Sequence, residues 1–209
     1  MDTERAPEIT SSDPFGLAIA QTIRACRVQS VIEVGSWDGR GSTTAIMHAL
    51  EPMPDRRLVC IEPDPQRHAE LQGTVSGKPW ISTVCGRSVS REAMTPKSFE
   101  EVWRSPYNRL RYPEDEVRRW WGEQRGGPGY LETLTDERFD AALIDGCEFC
   151  GWDDYQLLRD RVRVLMLDDV FHAYKCSQAH EHLRSDSQWS CIWSSAFVRN
   201  GASIWVRHA

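Results

Sequence analysis

Apolar and polar residues along this chain fall into short blocks that switch between two periods. Phe15, Leu17, Ala18, Ile19, Ile23 and Ala25 give residues 15–26 one apolar face at helical spacing. Ser30 to Val34 is a short β-branched run and predicts a strand. A helix is predicted over 42–50, with Gly41 or Ser42 as its cap. A second strand covers Leu58 to Ile61 and closes on Glu62-Pro63, a helix covers 65–71, and a third strand covers 80–85 ahead of Gly86-Arg87-Ser88. Residues 139–146 are a near-continuous apolar run ending in Asp145-Gly146, as in a strand buried on both faces. A helix over 155–161, a strand over 162–167 that ends in Asp168-Asp169, and a helix over 171–183 follow. Strands over 189–193 and 202–206 complete the pattern, and Arg199-Asn200-Gly201 between them marks a hairpin.

Strand and helix alternate over most of this length. The alternation predicts an α/β fold, a Rossmann-like doubly wound sheet of seven strands, mostly parallel, with an antiparallel C-terminal hairpin. Residues 95–134 do not join the alternation and read as a helical insertion of two short helices. Acids and arginines balance there, and Trp103, Trp120 and Trp121 would pack it onto the body or line a pocket. It is either a structural insertion or a lid over a substrate. Residues 1–14 are polar and expected to be a flexible N-terminus, with 15–209 forming a single domain.

Composition narrows the functional classes. The 209 residues are 40% hydrophobic and 27% charged, with a net charge of −6 and a pI near 5.5. That is ordinary for a globular protein and carries no basic footprint for nucleic acid. No apolar run approaches membrane-spanning length and the polar start does not read as a signal peptide, so a cytoplasmic protein with no membrane partner is expected. Seven cysteines, an odd count, fit a reducing compartment better than a disulfide framework.

The chemistry concentrates where the predicted parallel strands end. Glu33-Val34-Gly35, Glu62, Gly86-Arg87-Ser88, Asp145 and Asp168-Asp169 would all converge at one edge of the sheet, where ligands bind in this architecture. Gly35, Gly39 and Gly41 do not have the G-x-G-x-x-G spacing of a dinucleotide fingerprint, and no Gly-Lys-Ser/Thr follows them. Glu62 stands where an acid accepts hydrogen bonds from ribose hydroxyls. That points to a nucleoside without saying which, so an NAD-linked oxidoreductase stays open beside other readings.

Glu33-Val34-Gly35-x-x-x-Gly39-x-x-Ser42-Thr43, Ile61-Glu62-Pro63, Leu143-Ile144-Asp145-Gly146 and Leu167-Asp168-Asp169-Val170 together resemble the class I methyltransferases that use S-adenosylmethionine (SAM). The likeness is greatest to small O-methyltransferases, some of them metal-dependent, and covers residues 15 to 206 apart from the insertion. It implies methyl transfer from SAM to a small-molecule acceptor, a hydroxyl of a sugar or phenolic metabolite. By the resemblance, Glu33, Gly35, Ser36 and Gly39 hold the methionine half of SAM, with Ser42 beside them. Glu62 holds the ribose, Ser88 or its loop lies near the adenine, and Asp145 contacts cofactor or substrate. Asp145, Asp168 and Asp169 would bind Mg²⁺, which suits carboxylate ligands and would orient the acceptor hydroxyl. A chain that binds SAM without catalysis is the competing class, and a homo-oligomer is compatible with either.

One position departs from the pattern. Relatives of the sugar-modifying branch often carry a histidine three residues after the aspartate of the fourth strand, and here that residue is Glu148. Glu148 and His172 are then the candidates for a general base alongside Asp145. Cys147 and Cys150, with Cys176, His180 and His182 downstream, raise a zinc reading, but the second half has no clean ligand spacing. A redox pair would need a helix N-terminus in a thioredoxin-like setting, which the sequence does not predict.

Overall fold

The computed structural model describes residues 8–104, 112–123 and 128–208. Seven strands form one sheet: β1 (Ser30–Val34), β2 (Arg57–Glu62), β3 (Ile81–Cys85), β4 (Ala141–Ile144), β5 (Val164–Asp168), β6 (Trp189–Ser195) and β7 (Ala202–Arg207). Their order is β3-β2-β1-β4-β5-β7-β6. β1 to β5 are mutually parallel, and β7 runs antiparallel between β5 and β6. This is the α/β class the sequence predicts. The strand order reverses between β1 and β4, so the crevice at their carboxyl ends is the switch point where such sheets bind ligands.

Strand periodicity divides the interior into two cores. Val31, Leu58, Cys60, Leu143, Val164 and Met166 point to one face, and Ile32, Val34, Val59, Ile61, Ile144, Leu165 and Leu167 to the other. The first face is covered by α1 (Pro14–Ala25) through Phe15, Ile19 and Ile23, α2 (Ser42–Leu50) through Ile46 and Leu50, and α3 (Pro65–Thr74) through Leu71. The helices after β4 and β5 cover the second.

Several boundaries move for local reasons. Residues 8–13 fall within the stretch expected to be flexible. Instead Ile9 is buried in the first core, and Asp13 caps α1 by accepting bonds from the Phe15 and Gly16 amides at 2.8 and 3.2 Å; residues 1–7 lie outside the described residues. The helix expected over 155–161 is one turn earlier, as α7 (Gly151–Leu158). The helix expected over 171–183 begins later, as α8 (Ser177–Ser185), because Asp169 takes a left-handed φ of 52° and residues 170–176 turn instead.

Among the described residues the insertion holds α4 (Phe99–Trp103), α5 (Glu114–Glu123) and α6 (Tyr130–Thr133), one more helix than expected; residues 105–111 and 124–127 lie outside them. α4 and α5 build a third small core from Met94, Phe99, Val102, Val117 and Trp121, and its floor is Phe149 and Cys150. The Trp121 and Phe149 rings meet edge to face at 5.3 Å. Thr95 anchors the start of the insertion, its N–H and hydroxyl donating to Asp153 at 2.9 and 2.5 Å. At the other end, Tyr130 N–H and Leu131 N–H bond the carbonyls of Arg87 and Ser88.

Candidate functional site

The glycine loop is organised around Glu33. This buried carboxylate at the end of β1 accepts from the hydroxyls of Ser36 (2.8 Å), Ser42 (2.6 Å) and Thr43 (2.6 Å). Burial raises its pKa while the three hydroxyls oppose that rise. Glu33 and the Ser42 hydroxyl therefore face each other inside the loop and fasten it to the first turn of α2. Gly35 and Gly39 have φ of +87° and +79°. A Cβ on Gly35 would come within 2.1 Å of the Asp145 carbonyl oxygen, and one on Gly39 within 2.7 Å of Leu71 Cδ1. The Asp145 backbone requires Gly35, and the left-handed φ favours glycine at residue 39, before any ligand is considered.

Glu62 ends β2 beside this loop and is 4% exposed. Its Oε2 accepts the Trp37 N–H at 2.8 Å and its Oε1 the Asp64 N–H at 3.0 Å. Burial raises its pKa to about 7 against those two bonds. Each carboxylate oxygen keeps a further lone pair. Trp37 itself has a φ of 51° and its ring lies under the Arg67 guanidinium at 4.2 Å. Ser88 turns inward, its hydroxyl 3.7 Å from Cys150 Sγ.

At the ends of β4 and β5, Asp145, Asp168 and Asp169 converge as the sequence leads one to expect, with ligand atoms within 4.8 Å of one another. That spacing is right for a divalent ion, but the residues around the acids do not fit one. Lys175 Nζ lies 2.6 Å from Asp169 Oδ2, 3.0 Å from Asp145 Oδ1 and 4.0 Å from Glu148 Oε1. Arg199 forks onto Asp168, with Nη2 donating to Oδ1 at 2.8 Å and Nε to Oδ2 at 3.2 Å. Asn200 Nδ2 donates to Asp169 Oδ1 at 2.8 Å. The chain's own donors thus hold one oxygen of Asp145 and both oxygens of Asp168 and Asp169. Burial acts against the Lys175 charge, yet the surrounding Asp169, Asp145 and Glu148 raise its pKa well above the ordinary value. Burial, with Asp168 and Asp169 adding to it, raises Asp145 well above the carboxylate range even though Lys175 opposes.

Glu148 and His172, read as alternative bases, are partners. His172 Nε2 stands 2.9 Å from Glu148 Oε2, and both side chains are buried. Burial would raise the Glu148 pKa, but the Lys175 charge and the His172 contact outweigh it and hold it low. The Asp145 side chain is 20% exposed and the outermost of these acids.

Cys147 and Cys150 bring their sulfurs within 3.0 Å, and Cys150 caps α7. The pair therefore stands at a helix N-terminus, four residues ahead of the start that the sequence predicts for this helix. Burial raises the neighbouring Asp154 carboxyl to about 7. The zinc grouping does not assemble. Cys176 Sγ donates to the Ile144 carbonyl at 3.5 Å, His180 pairs with Ser203, and His182 with Tyr155.

Sequence reasoning missed Lys175, which sits in no motif, and took Arg199 and Asn200 only for a turn. A signal for the latter existed. β7 pairs antiparallel with β5 and sets Ala202 opposite Asp168, so the turn before β7 must land beside the acids. A surface cleft of about 400 Å³, lined by Arg159, Asp160, His182, Asp186 and Arg207 among others, lies near the amino end of β5, away from all these groups.

The strand order and the helices on both faces make the class I SAM-dependent methyltransferase fold. Solved structures bear this out. An O-methyltransferase from Bacillus cereus in complex with S-adenosylhomocysteine (SAH) is 13% identical with a TM-score of 0.62, over 94% of this chain and 82% of that one. The O-methyltransferase TomG from Streptomyces achromogenes, involved in tomaymycin synthesis and solved with SAM, is 17% identical with a TM-score of 0.62, over 97% and 83%. A methyltransferase from Geobacter sulfurreducens is 14% identical with a TM-score of 0.61, over 97% and 81%. No protein-family model and no curated protein sequence matches the chain.

Proposed function

We propose that this chain is a SAM-dependent methyltransferase that methylates a hydroxyl oxygen of a small molecule such as a sugar or phenolic metabolite. The observation that carries the reading is Glu62. It is a buried acid with spare lone pairs, tied through the Trp37 amide to the glycine loop at the switch point of a methyltransferase fold. A ribose diol is the ligand chemistry that suits it. The loop around Gly35, Ser36 and Gly39 lies beside it and is the position for the methionine half.

SAM supplies an electrophilic methyl group on a sulfonium. A hydroxyl acceptor that took this methyl group, with the S–C electron pair left on sulfur, would have to shed its proton. Asp145 is the residue for that proton, because it is the outermost, partly exposed acid of the cluster. Glu148 and His172 stand behind it, paired to each other. Since in-line displacement depends on alignment, most of the chain's contribution is positioning.

Calorimetry with SAH and with NAD, followed by transfer of labelled methyl from SAM to panels of sugars and phenols, tests the reading. SAH binding with turnover supports it. Tight NAD binding without SAH binding defeats it. SAH binding without turnover on any acceptor favours a SAM-binding protein that does no catalysis.

A further inference from the structure

We propose that Lys175 is the resident cation of the acidic cluster, its ammonium standing where a divalent ion would bridge Asp145 and Asp169, so that the site takes no metal. This rests on the methyl-transfer reading for its purpose, while its metal chemistry is tested separately.

An ion bridging Asp145 Oδ1 and Asp169 Oδ2 would sit about 2.0–2.6 Å from each oxygen. Lys175 Nζ already lies 3.0 and 2.6 Å from those same two atoms. Ion and ammonium would be in contact at like charge, in an interior that screens the repulsion poorly. The remaining acid cannot swing round to build the site elsewhere, because the Arg199 fork holds both Asp168 oxygens and Asn200 holds the second oxygen of Asp169.

The fold builds this placement from the backbone outward. The left-handed Asp169 starts the turn, and the Lys175 N–H closes it on the His172 carbonyl at 3.2 Å. The Gly151 N–H then takes the Tyr174 carbonyl at 3.3 Å. A Cβ at residue 151 would come within 2.3 Å of the Lys175 carbonyl oxygen, so a residue larger than glycine there would lift the Lys175 turn off α7. The Lys175 side chain is only 7% exposed, and its charge faces Asp145, Asp169 and Glu148 together. Lys175 is a positioning residue. It holds Asp145 in the orientation that meets an acceptor hydroxyl and offsets the negative charge beside it, two tasks a bound ion performs by coordination.

Manganese titration followed by electron paramagnetic resonance, with thermal melting in parallel, tests this on the full chain. The wild type should bind no Mn²⁺ below millimolar concentration, and chelator should leave its melting temperature unchanged. Lys175→Ala removes the internal cation and should gain Mn²⁺ binding in the micromolar range, with a melting temperature that rises with Mn²⁺ only in the variant. A lysine needed merely for packing would not be replaced by an ion. Micromolar Mn²⁺ binding by the wild type that Asp169→Asn abolishes overturns the proposal, and so does a folded Lys175→Ala that binds none. If Lys175→Ala does not fold, the wild-type titration decides. SAH calorimetry on the same sample keeps the two readings apart: loss of SAH binding defeats methyl transfer and leaves the metal result standing.

Discussion

His172 Nε2 lies 2.9 Å from Glu148 Oε2, while His172 Nδ1 accepts the Tyr174 N–H at 3.3 Å. The pair therefore fixes Glu148 beside Lys175. The folded Glu148 pKa lies below its ordinary 4.5, so the stability it contributes is present above that value and is lost as pH falls through the folded one. Glu148→Gln should cost about 1–3 kcal/mol at neutral pH, and urea unfolding should show the difference closing in acid. An equal cost at both pH values would mean that packing, and not charge, sets the role of Glu148.

Glu62 gives the pH dependence of cofactor binding. With its pKa raised to about 7, the free protein takes up a proton there as pH falls below neutrality. Ribose hydroxyls donate to the ionised form, so binding must displace that proton. SAH affinity should be flat above neutrality and drop by up to about tenfold per pH unit below it. Calorimetry on wild type and Glu62→Gln distinguishes the cause, since the variant should bind weakly with no such slope. A flat wild-type profile would remove Glu62 from the ribose site.

Gly35→Ala tests why that glycine is there. Its added Cβ collides with backbone, the Asp145 carbonyl, and the left-handed φ disfavours any side chain. A loss of about 2 kcal/mol or more in folding stability is expected, measured by chemical denaturation without ligand. Unchanged stability with lost SAH binding would return the glycine to a role in ligand approach alone.

Phe149 joins the insertion to the site. It is buried, forms the floor of the third core, and lies one residue beyond Glu148. Phe149→Ala should destabilise by about 3–5 kcal/mol if the insertion and body unfold together. Tryptophan emission, to which Trp121 at the edge of the Phe149 ring contributes, should shift to the red in the folded variant, and the shift should be absent when Trp121 is replaced by Phe. Full retention of stability and emission would show the insertion to be held from elsewhere.

Much of the framework was legible from residue order alone. Ser30–Val34 and Ser42–Leu50 have the boundaries that pattern predicts, because a buried parallel strand and a helix with one apolar face carry their periods in a few adjacent residues. The convergence of Glu62, Asp145 and Asp168-Asp169 at one edge followed from strand ends in a parallel sheet. What those acids touch was not legible. Lys175 is 30 residues from Asp145 in sequence, and no local pattern marks it. It reaches the cluster because Asp169 reverses the chain and Gly151 lets the turn seat on α7. Likewise no local pattern shows that Glu33 accepts from Ser36, Ser42 and Thr43, or that Gly35 packs against the Asp145 carbonyl. Periodicity is a local property of the chain and fixes elements and their ends. The partners of a buried charge depend on distances between segments far apart in sequence, and only the assembled sheet decides those.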